Sequence, residues 1–120
     1  MTLIIDLPCK VSTNVFYNMH FHKRHDLKQE FYTAVLYAAR KAKIAPITHY
    51  PVNVTYSFTL PGRALDTLNL GAMAKMVEDG LRHAGVLKDD SPLFVSQITL
   101  SQRVAKKKEC VVEVLITPCK

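Results

Sequence analysis

Between residues 52 and 60 apolar and polar positions alternate without a break: Val52, Val54, Tyr56, Phe58 and Leu60 against Asn53, Thr55, Ser57 and Thr59. A period of two puts the first set on one face of a β-strand, so this stretch reads as a half-buried strand entered after Pro51 and broken at Pro61-Gly62. Elsewhere the period is helical. Leu27, Phe31, Val35 and Ala38 form one stripe, and Asp26 with Gln29 three residues on makes a capping-box pattern, which predicts a helix from Asp26 to about Ala42. Leu70, Met73, Val77, Leu81 and Ala84 form a second stripe. It predicts a helix from about Leu70 to Ala84, with Gly85 as its C-cap and Glu78 and Arg82 paired on its outer side. Thr2–Leu7 is a short apolar strand ended by Pro8, and a polar loop runs from Cys9 to about His25. Two last strands, about Phe94–Leu100 and Cys110–Ile116, are expected to form an antiparallel hairpin around a basic connection. The order β-α-β-α-β-β predicts an α+β fold of two layers, helices packed on a mixed β-sheet.

Length and composition narrow the picture. The 120 residues, without repeat or Pro/Gly/Ser-rich linker, read as a single domain spanning residues 1–120, and 48% hydrophobic with 22% charged residues excludes the disordered and collagen-like classes. No apolar run approaches the roughly eighteen residues of a membrane span. Met1–Leu7 lacks the basic start and long apolar run of a leader, so no membrane partner is expected. Cys9, Cys110 and Cys119 are odd in number and lack CxxC spacing, which argues against a disulfide framework or a thiolate zinc site and fits a reducing cytoplasm. Sixteen Lys plus Arg against ten Asp plus Glu give a net charge of +6, a balance that favours polyanionic partners.

Candidate chemistry gathers at the two ends of the second helix. Asp66 lies just before it, and Asp89 and Asp90 lie just after it. Carboxylates are hard oxygen ligands that suit Mg²⁺, and a nearby Lys75 suits a negatively charged transition state at phosphorus. Fifteen helical residues span about 22 Å, so the acids meet only if a connection runs back along the helix. The plainer alternative has Asp66 capping a turn, Asp89-Asp90 in a solvated loop and Lys75 on a wet helix face. His20-Phe-His22-Lys-Arg-His25 invites a zinc reading, against which stands a loop that contacts phosphate. Lys23, Arg24, Arg63, Lys106, Lys107 and Lys108 are candidates for tracking a nucleic-acid backbone, with the triple lysine equally suited to keeping a hairpin soluble. Phe16 and Tyr17 either stack on bases or pack in the core.

Three segments together carry a family resemblance. Arg63-Ala-Leu-Asp66-Thr-Leu-Asn69, Lys75-Met-Val-Glu-Asp79-Gly-Leu81 and Ala84-Gly85-Val-Leu-Lys-Asp89-Asp90-Ser91 resemble, in order and spacing, the signature of RusA-type Holliday junction resolvases. That signature has an Asp-x-Asp-Asn cluster, a helix with Lys and an Asp-x-Leu step, and a Gly-to-Asp-Asp turn. Ser12-Thr-Asn14-Val-Phe-Tyr17 and the basic stretch through Arg24 resemble the loop after the first strand of that group. The resemblance implies a homodimer that binds four-way DNA junctions in recombination and repair, in a bacterial or phage-infected cytoplasm, and a phage or prophage setting suits it. It further implies Mg²⁺ or Mn²⁺ held by Asp66, Asp89 and Asp90 for endonuclease chemistry, with Lys75 assisting and Asn14 and Asn69 at the DNA. The acidic motif is degenerate in either register. Aligning Asn69 puts Asp66 on the first family aspartate and Leu68 on the second; counting back from Gly85 puts Asn69 and Gly71 there and brings Lys75, Asp79 and Asp90 into step. A missing carboxylate weakens a Mg²⁺ site, so a catalytically inactive junction-binding or protein-interaction module is the alternative.

Overall fold

The computed structural model describes residues 1–119. Its elements are β1 (Thr2–Asp6), α1 (Thr13–Tyr17), α2 (Phe21–Lys41), β2 (Val52–Leu60), a 3-10 turn (Thr67–Leu70) that runs into α3 (Gly71–His83), β3 (Val95–Val104) and β4 (Val111–Pro118). The strands form one mixed sheet in the order β1-β4-β2-β3, with α2 and α3 packed side by side against it. This is the α+β arrangement that the hydrophobic pattern predicts. β2 shows the pattern at its cleanest: all five apolar positions are buried under the helices and the four polar ones are half-exposed on the open face.

The expected terminal hairpin does not form. β4 lies between β1 and β2, antiparallel to both, and β3 pairs with β2 in parallel at the sheet edge. Side-chain burial explains the choice. Val112, Val114 and Ile116 are all buried and suit a strand with neighbours on both sides, whereas β3, rich in Ser, Thr, Gln and Arg, suits an edge. A parallel β2–β3 pair requires a crossover, which α3 supplies.

The stretch from Cys9 to His25 is also more ordered than its polarity suggests. Ser12 caps α1 by accepting a hydrogen bond from Val15 N, and α2 starts at Phe21, five residues before Asp26. His20 is the N-cap, its Nδ1 accepting from His22 N, so Asp26 lies inside the helix and the capping box never forms. The far end of α3 behaves as read, apart from the label: Ala84 is the C-cap and Gly85 follows it with φ +78. Val86 N then bonds Leu81 O and Gly85 N bonds Arg82 O, a Schellman motif that turns the chain sharply back. Where α3 crosses α2, Gly80 allows close approach: a Cβ there would stand 2.8 Å from Val35 Cγ2.

Candidate functional site

The reversal at Gly85 sets up the site. Val86 and Leu87 are buried, Ile47 N bonds Val86 O, and Lys88 N donates to the Tyr50 hydroxyl, so the chain returns along α3 instead of leaving it. Asp89 and Asp90 thereby arrive beside the middle of the helix. The Lys75 ammonium donates to Asp90 Oδ2 at 2.7 Å and stands 3.2 Å from Asp79 Oδ1 and 3.9 Å from Glu78 Oε1. Arg82 closes the group from the next turn, 3.4 Å from Asp79, 3.6 Å from Asp90 and 3.9 Å from Asp89. Two cations therefore hold four carboxylates. The expected outer pair of Glu78 and Arg82 does not form, because Glu78 points into the core with only 5% of its surface exposed.

Glu78 sits where water cannot repay its charge, and burial pushes its pKa up against the opposing pull of Lys75. Beneath it lies Tyr56, whose phenol is pushed well above the ordinary range, first by burial and then by the Glu78 carboxylate. Neither the Tyr56 hydroxyl nor Glu78 Oε2 has a hydrogen bond of ordinary geometry among the described residues. At the rim the signs reverse. The Lys75 hydrogen bond holds Asp90 below the usual carboxylate range, and the same bond raises Lys75. Tyr32, on the neighbouring flank of α2, is raised by burial and by Asp79.

A second group of contacts organises the segment around Asp66. Thr13 Oγ1 accepts from Ala72 N at 3.0 Å and donates to Asn69 O at 3.2 Å, capping the start of α3 from the first residue of α1. Lys10 Nζ donates to the carbonyls of Pro61 and Arg63. Gln102, on β3, bonds both the N–H and the carbonyl of Leu65. The Ser12–Asn14 and Arg63–Asn69 segments, far apart in sequence, thus lie together, and the Thr13 contact at Ala72 N stands three residues before Lys75 on α3. Lys10, Thr13 and Gln102 act through side-chain bonds to distant backbone, for which sequence carries no signal. The Lys75, Asp79 and Arg82 spacing, by contrast, is legible as i,i+3 and i,i+4 pairs.

The predicted site residues divide accordingly. Lys75, Asp89 and Asp90 converge. Asp66 stands exposed at the start of the 3-10 turn and makes no side-chain cap bond. Leu68 is 87% exposed, so the position aligned with the second family aspartate is not part of the core. Asn14 is exposed in α1, and Asn69 contributes its backbone carbonyl to Thr13. Lys23 is exposed and Arg24 half-buried in the first turns of α2, so they stand on a helix and not a loop. Arg63 is exposed after β2, and Lys106, Lys107 and Lys108 are exposed between β3 and β4. His20, Phe21 and His22 stack ring on ring, with centroids 4.0–5.1 Å apart. Phe16 is buried in the core while Tyr17 is exposed.

Among the described residues no group of three or more His, Cys, Asp and Glu is placed to hold a metal ion. Asp90, the carboxylate best placed for one, already has Lys75 at 2.7 Å and Arg82 at 3.6 Å. As arranged, Asp66, Asp89 and Asp90 do not fit a Mg²⁺ or Mn²⁺ ligand set. No helix among the described residues is long and apolar enough to cross a membrane. No protein-family model matches the chain, and no curated protein does.

Proposed function

We propose that this chain is a branched-DNA-binding protein of RusA-type character that engages four-way junctions as a homodimer in a cytoplasmic setting. The observation that carries the reading is the meeting of Lys75, Asp79 and Asp90 at one ammonium. These are the signature positions that fall into step when the sequence is counted back from Gly85; Lys75 and Asp79 meet as an i,i+4 pair on α3, and it is the arrival of Asp90 from beyond Gly85 that supports the match. Support also comes from the second cluster, where Thr13 joins the two other signature segments. A net charge of +6 with exposed Lys23, Arg63 and Lys106–Lys108 supplies the phosphate-facing surface. Junction binding carries the function, with Lys75 and Arg82 neutralising the acidic group.

A second reading is Mg²⁺- or Mn²⁺-dependent cleavage of the junction, an endonuclease acting in recombination and repair. Glu78, Asp79 and Asp90 do gather at one place there, but Lys75 occupies the space between them, so this reading requires a divalent cation to displace its ammonium. A gel-shift titration of four-way junction against linear duplex across salt tests the first reading. Tighter junction binding that persists as salt rises supports it, and equal affinity overturns it, because the phosphate contribution is common to both DNAs. Incubating the same junction with Mg²⁺ or Mn²⁺ decides the second. Asp90→Asn should abolish any cleavage while junction binding remains.

A further inference from the structure

Among the described residues no strand pairs with the outer side of β1, and the hydrogen-bond pattern shows which groups point outward there. Met1 and Ile116 exchange both backbone bonds, and Leu7 N bonds Cys110 O, so in the β1–β4 register it is the odd residues of β1 that face β4. The N–H and C=O groups of Thr2, Ile4 and Asp6 therefore point outward, away from the sheet. Their side chains lie on the open face, where Ile4 is 62% exposed. On the helix side the same edge opens into a groove of ≈ 860 Å³ between β1 and α2, walled by Leu3, Ala34, Ala38 and the 66% exposed Tyr37. An edge of this kind is a template for another strand unless something blunts it. Asp6 is the one charge on the strand itself.

We propose that a second copy of this chain docks on this edge, β1 against β1 in antiparallel register about a two-fold axis through Ile4. Three observations select the second copy as occupant. The outward groups are self-complementary: with the axis at Ile4, Ile4 meets Ile4 of the second copy, and Thr2 meets Asp6. All of these are positions whose backbone groups are free, so the ladder closes without a slip. The charges are self-complementary as well. α2 runs back alongside β1, placing Glu30 by Cys9 at the Asp6 end and the close of the helix, with Lys41, by the Thr2 end. The two-fold then brings Lys41 of each copy to the Asp6 and Glu30 end of the other. The two apolar grooves join across the axis, with Tyr37 of each copy filling the space between the paired α2 helices. The product is a continuous eight-stranded sheet.

This inference rests on the dimer reading above and names its interface. Ile4→Cys tests it directly, since the two Cα atoms of a hydrogen-bonded antiparallel pair stand about 5.5 Å apart, inside the range a disulfide spans. Mild oxidation should give a covalent dimer whose linked peptide, identified by mass spectrometry, joins residue 4 to residue 4; wild type treated alike is the control for Cys9, Cys110 and Cys119. Ile4→Pro removes an outward N–H while leaving the β4 ladder intact, and should weaken the dimer by about tenfold or more in light scattering. Lys41→Glu should do the same, and Glu30→Lys combined with Lys41→Glu should restore association. Circular dichroism confirms that each variant is folded, and the charge pair, lying on the helix surface, covers the case in which Ile4→Pro does not fold. A wild-type dimer that survives Ile4→Pro and Lys41→Glu and does not crosslink at residue 4 overturns this interface alone. A wild type that stays monomeric at tens of micromolar overturns the two-subunit reading with it. Junction affinity, measured on the same samples, reports on DNA binding separately.

Discussion

Replacing Lys75 by Met removes a charge from the centre of the acidic group while keeping most of the side chain's volume. The cost divides between rim and core. At the rim, Asp79 and Asp90 face a lysine side chain that is 52% exposed, so solvent screening holds each of those contacts to between a few tenths and about 1 kcal/mol. Beneath it, Glu78 keeps a side chain only 7% exposed and loses its nearest cation. Breaking a fully buried pair costs about 3–5 kcal/mol, but this cation stands 3.9 Å away and half in water, so roughly 1 kcal/mol is the appropriate share. The total is about 2 kcal/mol near neutral pH, equivalent to a fall of about 6–12 °C in Tm for a chain of this size. Its pH dependence has a definite sign. Glu78 already has its pKa raised by burial, and losing Lys75 raises it further. A carboxyl raised in the folded state contributes stability that is present below its unfolded pKa and lost as pH rises through the folded value. Asp90, which Lys75 holds low, contributes the opposite way: its stability is present above the unfolded value and lost as pH falls. Glu78 therefore makes the gap between wild type and variant widest near pH 7 and narrower towards about pH 4.5, while Asp90 narrows it further only below its ordinary value of 3.8. Thermal melts followed by far-ultraviolet circular dichroism at low salt measure it. Adding Glu78→Gln to Lys75→Met should recover about half of the loss in a double-mutant cycle. A gap that is the same at both pH values, or no loss at all, would refute the argument.

Three further outcomes follow from the same geometry. Gly80→Ala gains up to about 1 kcal/mol in helix propensity but drives a methyl to within 2.8 Å of the buried Val35, so a net loss of about 1–2 kcal/mol is expected; Gly71→Ala, whose nearest neighbour would be Thr13 Oγ1 at 3.6 Å, should instead be neutral or stabilising in the same melts. Thr13→Val removes the oxygen that caps α3 and should cost about 1–2 kcal/mol, with fastest hydrogen exchange at Ala72 N. Leu68→Asp, at a position 87% exposed, should fold within about 0.5 kcal/mol of wild type. A junction-cleavage assay on that variant with Mg²⁺ therefore tests the first register cleanly, and early melting would show that the exposure is wrong.

Periodicity alone determined a good deal. The alternation over residues 52–60 places β2 and its buried face, and the stripe from Leu70 to Ala84 places α3, because each element repeats its burial at a period that the residues themselves display. Lys75, Asp79 and Arg82 are legible as neighbours for the same reason. Tertiary structure decided what period cannot express. The β3–β4 hairpin fails because strand order depends on which strand has enough apolar surface for the sheet's middle, a comparison between segments and not a property of one. Asp26 and Gln29 have capping chemistry, yet helix packing starts α2 at Phe21, where the His20 ring supplies the cap. Glu78 reads as a solvent-facing partner of Arg82 and is instead buried over Tyr56, since one residue's rotation about α3 decides which side of the boundary a carboxylate meets. Asp90 reaches Lys75 only because Gly85 and the buried Val86 and Leu87 fold the chain back along the helix. Local pattern specifies elements; the meeting of Lys75 with Asp90, and of Thr13 with Asn69 and Ala72, depends on contacts 15 to 59 residues apart.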